Sequence, residues 1–194
     1  MEAIEAIRTR RSVRDYLSRP VDRALIAEIV CDAAHAPWTP MSRPEPWVFN
    51  VIEGRERVAG YGERALRFAR DNRADRDGYR WADDPAFSVF YNAPTVILIT
   101  GRIGNPLALE ECTRAGQLLT VAAHARGLGT CWVGSPNLWL ADKGVQAELG
   151  IADGFEPLAA FTIGYPAQTS QRPIDFEPRI IWSKDGAAPA LKSG

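Results

Sequence analysis

The stretch Ala122-Ala123-His124-Ala125-Arg126-Gly127-Leu128-Gly129-Thr130-Cys131-Trp132-Val133-Gly134 decides how the chain is read. Its glycines invite comparison with a dinucleotide-binding fingerprint, which must follow a strand and open a helix so that a pyrophosphate meets the helix amino terminus. The order here is reversed. Leu107 to Arg126 is the longest helical pattern, with Leu109, Cys112, Leu119, Ala122 and Ala123 near one face, and Gly127 suits the C′ position that closes it. Gly129 to Gly134 then reads as a strand. Ala115, Gly116, Ala122, Ala123 and Ala125 allow close approach to this helix, either in a core or between subunits.

Outward from this stretch, single strands are separated by helices. Val48-Phe49-Asn50-Val51-Ile52 is β-branched and aromatic, and Thr95 to Thr100 is an apolar run of strand length that suits the middle of a sheet. Pro157 to Gly164 is the last strand. Glu2 to Arg8 carries Ile4 and Ile7 at helical spacing. Leu25, Ile26, Ile29, Val30 and Ala33 form the stripe of a second helix that Asp22 can cap and that ends before Pro37. Arg55 to Phe90 is charged and helical, with Val58, Tyr61, Ala65, Leu66 and Ala69 on one face, and reads as an excursion rather than as core. Val145 to Leu149 is a short helix closed by Gly150. The pattern predicts one domain over 1–194, a sheet covered by helices, with 166–194 as a tail that wraps over this subunit or a partner.

Composition narrows the function. The chain has 194 residues, 46% of them apolar, and a net charge of −1. That balance argues against nucleic acid and anionic membranes as partners. Cys31, Cys112 and Cys131 are unpaired in spacing, which suits a reducing cytoplasm, and His35 and His124 lack ligand-spaced partners, so no metal site is expected. The charged amino terminus is no secretory signal, and no apolar run approaches the roughly 20 residues that span a bilayer. There is no Walker loop, no Gly-x-Ser-x-Gly elbow and no obvious nucleophile, so no catalytic acid, base or nucleophile is assigned.

Two features remain. Arg8-Thr9-Arg10-Arg11-Ser12-Val13-Arg14-Asp15-Tyr16, read as extended chain, places Arg10, Ser12 and Arg14 on one side and Arg11, Val13 and Asp15 on the other. Two guanidinium forks and a hydroxyl in a row can hold a phosphate; a solvated basic face is the alternative. Apolar helical patterns on both sides make the cluster part of a folded body. The second feature, Ala36-Pro37-Trp38-Thr39-Pro40-Met41-Ser42-Arg43-Pro44-Glu45-Pro46-Trp47, is stiff with proline. It is either a platform for a flat ligand or a surface loop whose tryptophans plug the core.

Taken in order, Arg10-Arg11-Ser12-Val13-Arg14-Asp15-Tyr16, Ala36-Pro37, Pro46-Trp47-Val48-Phe49, Ala93-Pro94-Thr95-Val96-Ile97, the Leu118 to Gly134 stretch, Ile163-Gly164-Tyr165-Pro166 and Arg172-Pro173 make the chain resemble the nitroreductase family of FMN-dependent oxidoreductases. The resemblance implies an α+β fold, a mainly antiparallel sheet flanked by helices, and a cytoplasmic homodimer with FMN in the interface. It implies that Arg10, Arg11, Ser12 and Arg14 hold the FMN phosphate and near flavin edge, with Arg172 reaching the phosphate from the tail. Trp132, Val133 and Gly134 would lie along the isoalloxazine, and Pro37, Trp38 and Thr39 would reach the partner's flavin. The implied activity passes hydride from NAD(P)H through FMN to a small-molecule substrate such as a nitroaromatic or quinone, chemistry that the flavin supplies itself. Within the fold, a flavin dehydrogenase or oxidase of a dedicated, peptide-like metabolite is the alternative. Outside it stand a non-catalytic FMN-binding module and a nucleotide- or sugar-phosphate binder. The loop departs from the family pattern, because Arg43-Pro44-Glu45 replaces the usual Asn-x-Gln before Pro-Trp, and neither Arg43 nor Glu45 is assigned to the cofactor.

Overall fold

A computed structural model describes residues 1–72, 81–168 and 177–182. In chain order the elements are α1 (Ala3–Thr9), α2 (Arg23–Ala33), β1 (Trp47–Glu53), α3 (Arg55–Asp71), β2 (Thr95–Arg102), α4 (Ala108–Ala125), β3 (Gly129–Trp132), α5 (Asn137–Leu140), α6 (Lys143–Glu148) and β4 (Phe155–Gly164). The four strands form one sheet in the order β1-β2-β4-β3. Every neighbouring pair is antiparallel, with Val51 opposite Ile97, Ile97 opposite Phe161, and Trp132 opposite Phe161 on the other side. The architecture is the α+β sheet between helices that the sequence predicts.

The sheet is covered on both faces, and the apolar run of β2 is the reason it can be. Side chains alternate along a strand, so Ile97 and Ile99 pack with α2 and α4 through Ile29, Ala115 and Leu119, beside Phe161 of β4. Val96 and Leu98 point the other way, to Val58 and Ala65 of α3, Trp139 of α5 and the buried pair Val89 and Phe90. This second layer corrects the expectation for 55–90: α3 is no excursion, because Val58, Gly62, Ala65 and Ala69 are buried beneath its charged outer face. A charged helix still buries one stripe when the sheet behind it has a second apolar face to cover.

Helix ends follow local chemistry. Asp22 caps α2 by accepting from Ala24 N at 2.8 Å, and Gly127 leaves α4 at φ 79° while Leu128 N donates back to Ala123 O at 2.9 Å. The small residues of α4 divide: Ala115, Gly116 and Ala123 are buried in this chain's own core, whereas Leu109, expected on the core face, is 52% exposed. Gly116 is a steric requirement, since a Cβ there would lie 2.3 Å from the Phe161 ring. Gly116→Ala should therefore lower the urea midpoint, because overpacking costs about 1–3 kcal/mol and exceeds the roughly 1 kcal/mol gained in helix propensity. A midpoint at or above wild type would show that Phe161 can move aside.

Candidate functional site

The arginine segment is built as an extended strap on the free edge of β3. Ser12 and Thr130 form a parallel bridge, and Val13 N donates to Thr130 O at 2.9 Å. Gly129 permits the contact, because any Cβ would lie 2.5 Å from the Val13 side chain. Tyr16 pins the far end from beneath. Its buried hydroxyl donates to Val13 O at 2.7 Å and shares a hydrogen bond with Thr162 Oγ1 at 2.7 Å, and burial pushes its pKa up, so it remains a proton donor.

The two sides of the strap separate over Arg11 to Arg14 as the period-two reading requires, while the charge of Arg10 reaches both Cys131 and His124. Arg10, Ser12 and Arg14 gather toward Cys131. Burial pushes that thiol's pKa up, against the charges of Arg14 and Arg10 and hydrogen bonds from the Arg14 and Ser12 side chains. Arg11 and Val13 face the opposite way, into a hollow of about 170 Å³ shared with Thr9, His124 and Gly129. Arg11 Nη1 donates to the carbonyls of Arg8 and Arg10 at 2.9 and 2.8 Å. His124 Nε2 bonds Thr9 Oγ1 at 2.9 Å, and burial, then the charges of Arg10 and Arg11, hold its pKa below the ordinary value.

Beside Arg14 opens a cleft of about 450 Å³ lined by Trp81, Phe87, Tyr91, Trp132, Val133, Gly134 and Ser135. Trp132 is 44% exposed and its ring leans on Phe161 at 5.5 Å, the ring that Gly116 makes room for. Val133 is held to the sheet through its N–H to Ala160 O at 2.8 Å. Ser135 Oγ is buried with no hydrogen-bond partner among the described residues, and a Cβ on Gly134 would meet none of them within 4 Å. The Arg14 guanidinium lies 5.9 Å from the centre of the Tyr91 ring, so the basic row and the cleft adjoin. Tyr91 and Asn92 both adopt left-handed backbone, φ 52° and 54°, a conformation that costs about 1–3 kcal/mol where a side chain is present. In the sequence, Tyr91-Asn92 marks only the stop before β2. The sole hint was Asn92, a residue type that tolerates this region.

The proline-rich loop sits elsewhere. Trp47 is buried and Trp38 is 39% exposed, so one tryptophan plugs the core and the other faces outward. The loop is gripped by Glu111 of α4, a fully buried carboxylate that sequence reading missed. Glu111 accepts from Thr39 N at 2.7 Å, Thr39 Oγ1 at 2.9 Å, Ser42 Oγ, and Asn105 Nδ2 at 3.1 Å. Burial alone would raise its pKa, but the hydrogen bonds from Ser42, Thr39 and Asn105 outweigh it and leave the pKa lowered, so the group is an anion at neutral pH. Glu111 precedes His124 by 13 positions on α4, roughly 20 Å at 1.5 Å per residue. The loop also enters β1, at the sheet edge opposite β3. Pro37, Trp38 and Thr39 accordingly do not line the cleft of their own chain. Arg172 lies outside the described residues.

Comparison with known proteins bears on this arrangement. The sequence profile of the Nitroreductase family matches residues 7–165, from α1 to the end of β4. The chain belongs to the Nitroreductase family. A protein of Methanothermobacter thermautotrophicus named "Putative NADH dehydrogenase/NAD(P)H nitroreductase" is 29% identical over 181 residues, covering 93% of this chain and 86% of that one. A nitroreductase from Desulfitobacterium hafniense, solved with bound FMN, superposes with a TM-score of 0.79 at 21% identity over 95% of this chain and 100% of its own. Another from Bacteroides fragilis, also solved with FMN, gives 0.76 at 21% identity over 99% and 100%. In this chain Arg43, Pro44 and Glu45 are exposed, and the loop is anchored through Glu111. Among the described residues of this chain no helix is long and apolar enough to cross a membrane, and no three His, Cys, Asp or Glu side chains group as a metal site.

Proposed function

We propose that this nitroreductase-family chain is an FMN-dependent oxidoreductase that passes hydride from NAD(P)H to a small acceptor such as a nitroaromatic or quinone. The observation that carries the reading is where the Arg10–Ser12–Arg14 row ends: Arg14 lies against Tyr91, on the wall of the open cleft that reaches Trp132–Ser135. The residues fit FMN in kind: guanidinium and hydroxyl donors suit a phosphate, and an aromatic-lined cleft with a Ser135 hydroxyl unpartnered among the described residues suits a heterocycle that carries polar edges. FMN supplies the hydride chemistry when bound. Arg10, Ser12 and Arg14 bind and orient it, Arg14 adds positive charge at one edge of the ring site, and Trp132 to Gly134 form its floor. Arg172 completes the proposed phosphate set, and Arg11, whose Nη1 is held by the Arg8 and Arg10 carbonyls on the other side of the strap, contributes less to it.

The protein works as a homodimer on this reading. Ile4 and Ile7 of α1 are 59% and 56% exposed, and their apolar face needs a cover that this chain lacks among its described residues. Loop residues Pro37, Trp38 and Thr39, remote from their own cleft, then reach the partner's flavin. The exposed Ile180, Ile181 and Trp182 of the tail wrap onto the partner. The names of the relatives and the FMN in the two solved neighbours support the cofactor and the reductant. A cytoplasmic location agrees with the cysteine usage.

Absorbance of the purified protein under anaerobic conditions tests the proposal. A yellow protein, or a colourless one that takes up added FMN, should bleach with NADH or NADPH and recover its colour with a nitroaromatic or quinone. Protein that ignores FMN overturns the reading and leaves a nucleotide- or sugar-phosphate binder. Yellow protein that neither nicotinamide can bleach would be a non-catalytic flavin module or a dehydrogenase of a dedicated metabolite.

A further inference from the structure

The feature of the cleft that the motif residues do not account for is the Ser88–Ala93 turn. Val89 and Phe90 are anchored in the core between α3 and the sheet, and Ala93 N donates to Phe90 O at 3.0 Å. Between those anchors the backbone turns left-handed at Tyr91 and Asn92. It is held there by Tyr91 N to Ser88 O and Asn92 N to Ser88 Oγ, both at 3.1 Å. The turn leaves the Tyr91 ring half-buried at the margin of the core that holds Val89 and Phe90, on the cleft wall beside Phe87, 6.3 Å away and edge-on. The ring also lies within cation–π range of the Arg14 guanidinium. An arginine on an exposed strap has many rotamers, and ordering it when an anion arrives would cost entropy. A ring already beneath it removes part of that cost.

We propose that Tyr91 is a positioning residue for Arg14: the left-handed Tyr91-Asn92 turn sets an aromatic ring under the guanidinium and so preorganises it for the anionic edge of the bound flavin. The inference rests on the flavin reading above. Because Arg14 is the group through which Tyr91 acts, the effect of the ring should vanish when Arg14 is absent, a result that loss of local packing would not produce.

The test is a double-mutant cycle on the full chain, read by FMN titration of apoprotein and by the midpoint potential of bound FMN. Tyr91→Asn removes the ring but keeps a residue that tolerates φ above zero, so the turn is retained; Tyr91→Phe keeps the ring. The Asn variant should bind FMN about tenfold more weakly and favour the reduced flavin about tenfold less, which is about 30 mV lower for a two-electron couple. The Phe variant keeps the ring but loses the hydroxyl that also bonds the Arg14 side chain, so it should fall between wild type and the Asn variant on both readings. On an Arg14→Ala background, Tyr91→Asn should change neither reading. Wild-type affinity and potential in Tyr91→Asn, or equal losses with and without Arg14, would overturn the inference while leaving the flavin reading intact. Wild-type protein that takes up no FMN would overturn the flavin reading itself. Far-UV circular dichroism and the urea midpoint of Tyr91→Asn check that it is folded. If it is not, Tyr91→Leu enters the same cycle with the same expected results.

Discussion

Glu111→Ala should be the most damaging single substitution considered for this chain, lowering stability by about 3 kcal/mol or more and the thermal midpoint by roughly 6–12 °C. Four donor groups, the Thr39 N–H and hydroxyl, the Ser42 hydroxyl and the Asn105 amide, converge on its two oxygens. Removing the carboxylate takes the acceptor from the Thr39 and Ser42 donors, while the Asn105 amide keeps its bond to Ser42 Oγ at 2.8 Å, and each unsatisfied buried group costs about 1–3 kcal/mol. Glu111→Gln should recover only part of the loss, because one of its two polar ends is a donor facing donors. Full recovery in Gln would mean that the native carboxyl is protonated and would overturn the account. The pH dependence has a definite sign. Native Glu111 holds its proton less tightly than the ordinary carboxylate value of 4.5, so the unfolded chain binds more protons just below that pH. Its stabilising contribution is complete above pH 4.5 and is lost as pH falls through the lower native value. The stability gap between wild type and Glu111→Ala, measured by urea unfolding, should therefore narrow on acidification from neutrality only below about pH 4.5.

Arg10→Ala and Arg14→Ala should each weaken FMN binding by about 1.5–3 kcal/mol, roughly 10- to 150-fold in dissociation constant, the worth of a hydrogen bond to a charged group. Fluorescence titration of apoprotein reads this directly, and raising salt should weaken wild type more than either variant. Arg11→Ala should lose less than either, since its Nη1 is turned to the Arg8 and Arg10 carbonyls and its side faces the hollow beside His124. Arg23→Ala, a guanidinium paired with Glu53 at 2.7 Å beside β1, serves as the control and should bind FMN as wild type does. Undiminished binding in both Arg10→Ala and Arg14→Ala would remove the anion row from the site.

Much of the fold was legible because its signals are local. The six-residue apolar run of β2, the glycine at 127, the cap at Asp22 and the alternation of the arginine strap each act within a few residues, so periodicity and turn chemistry expose them. Other elements were misread for the opposite reason. The charged face of α3 hid a buried stripe, since nothing near it in sequence announces the second apolar face of β2. Glu111 reads as an ordinary acid in the first turn of a helix, a position where acids are common on electrostatic grounds alone. Its burial depends on donors 69 and 72 residues away.

The sequence by itself determined the strands, the helix that separates this chain from a dinucleotide-binding fold, the residues of the basic row and the family they resemble. The tertiary structure alone decided which side of that row meets a cleft, that Tyr91 stands under Arg14, and that the proline loop is clamped by a buried anion far from its own chain's cleft. The division has a physical cause. Backbone conformation answers to neighbours within a turn or two, whereas a site is an encounter of segments whose distance along the chain carries no trace of their distance in space.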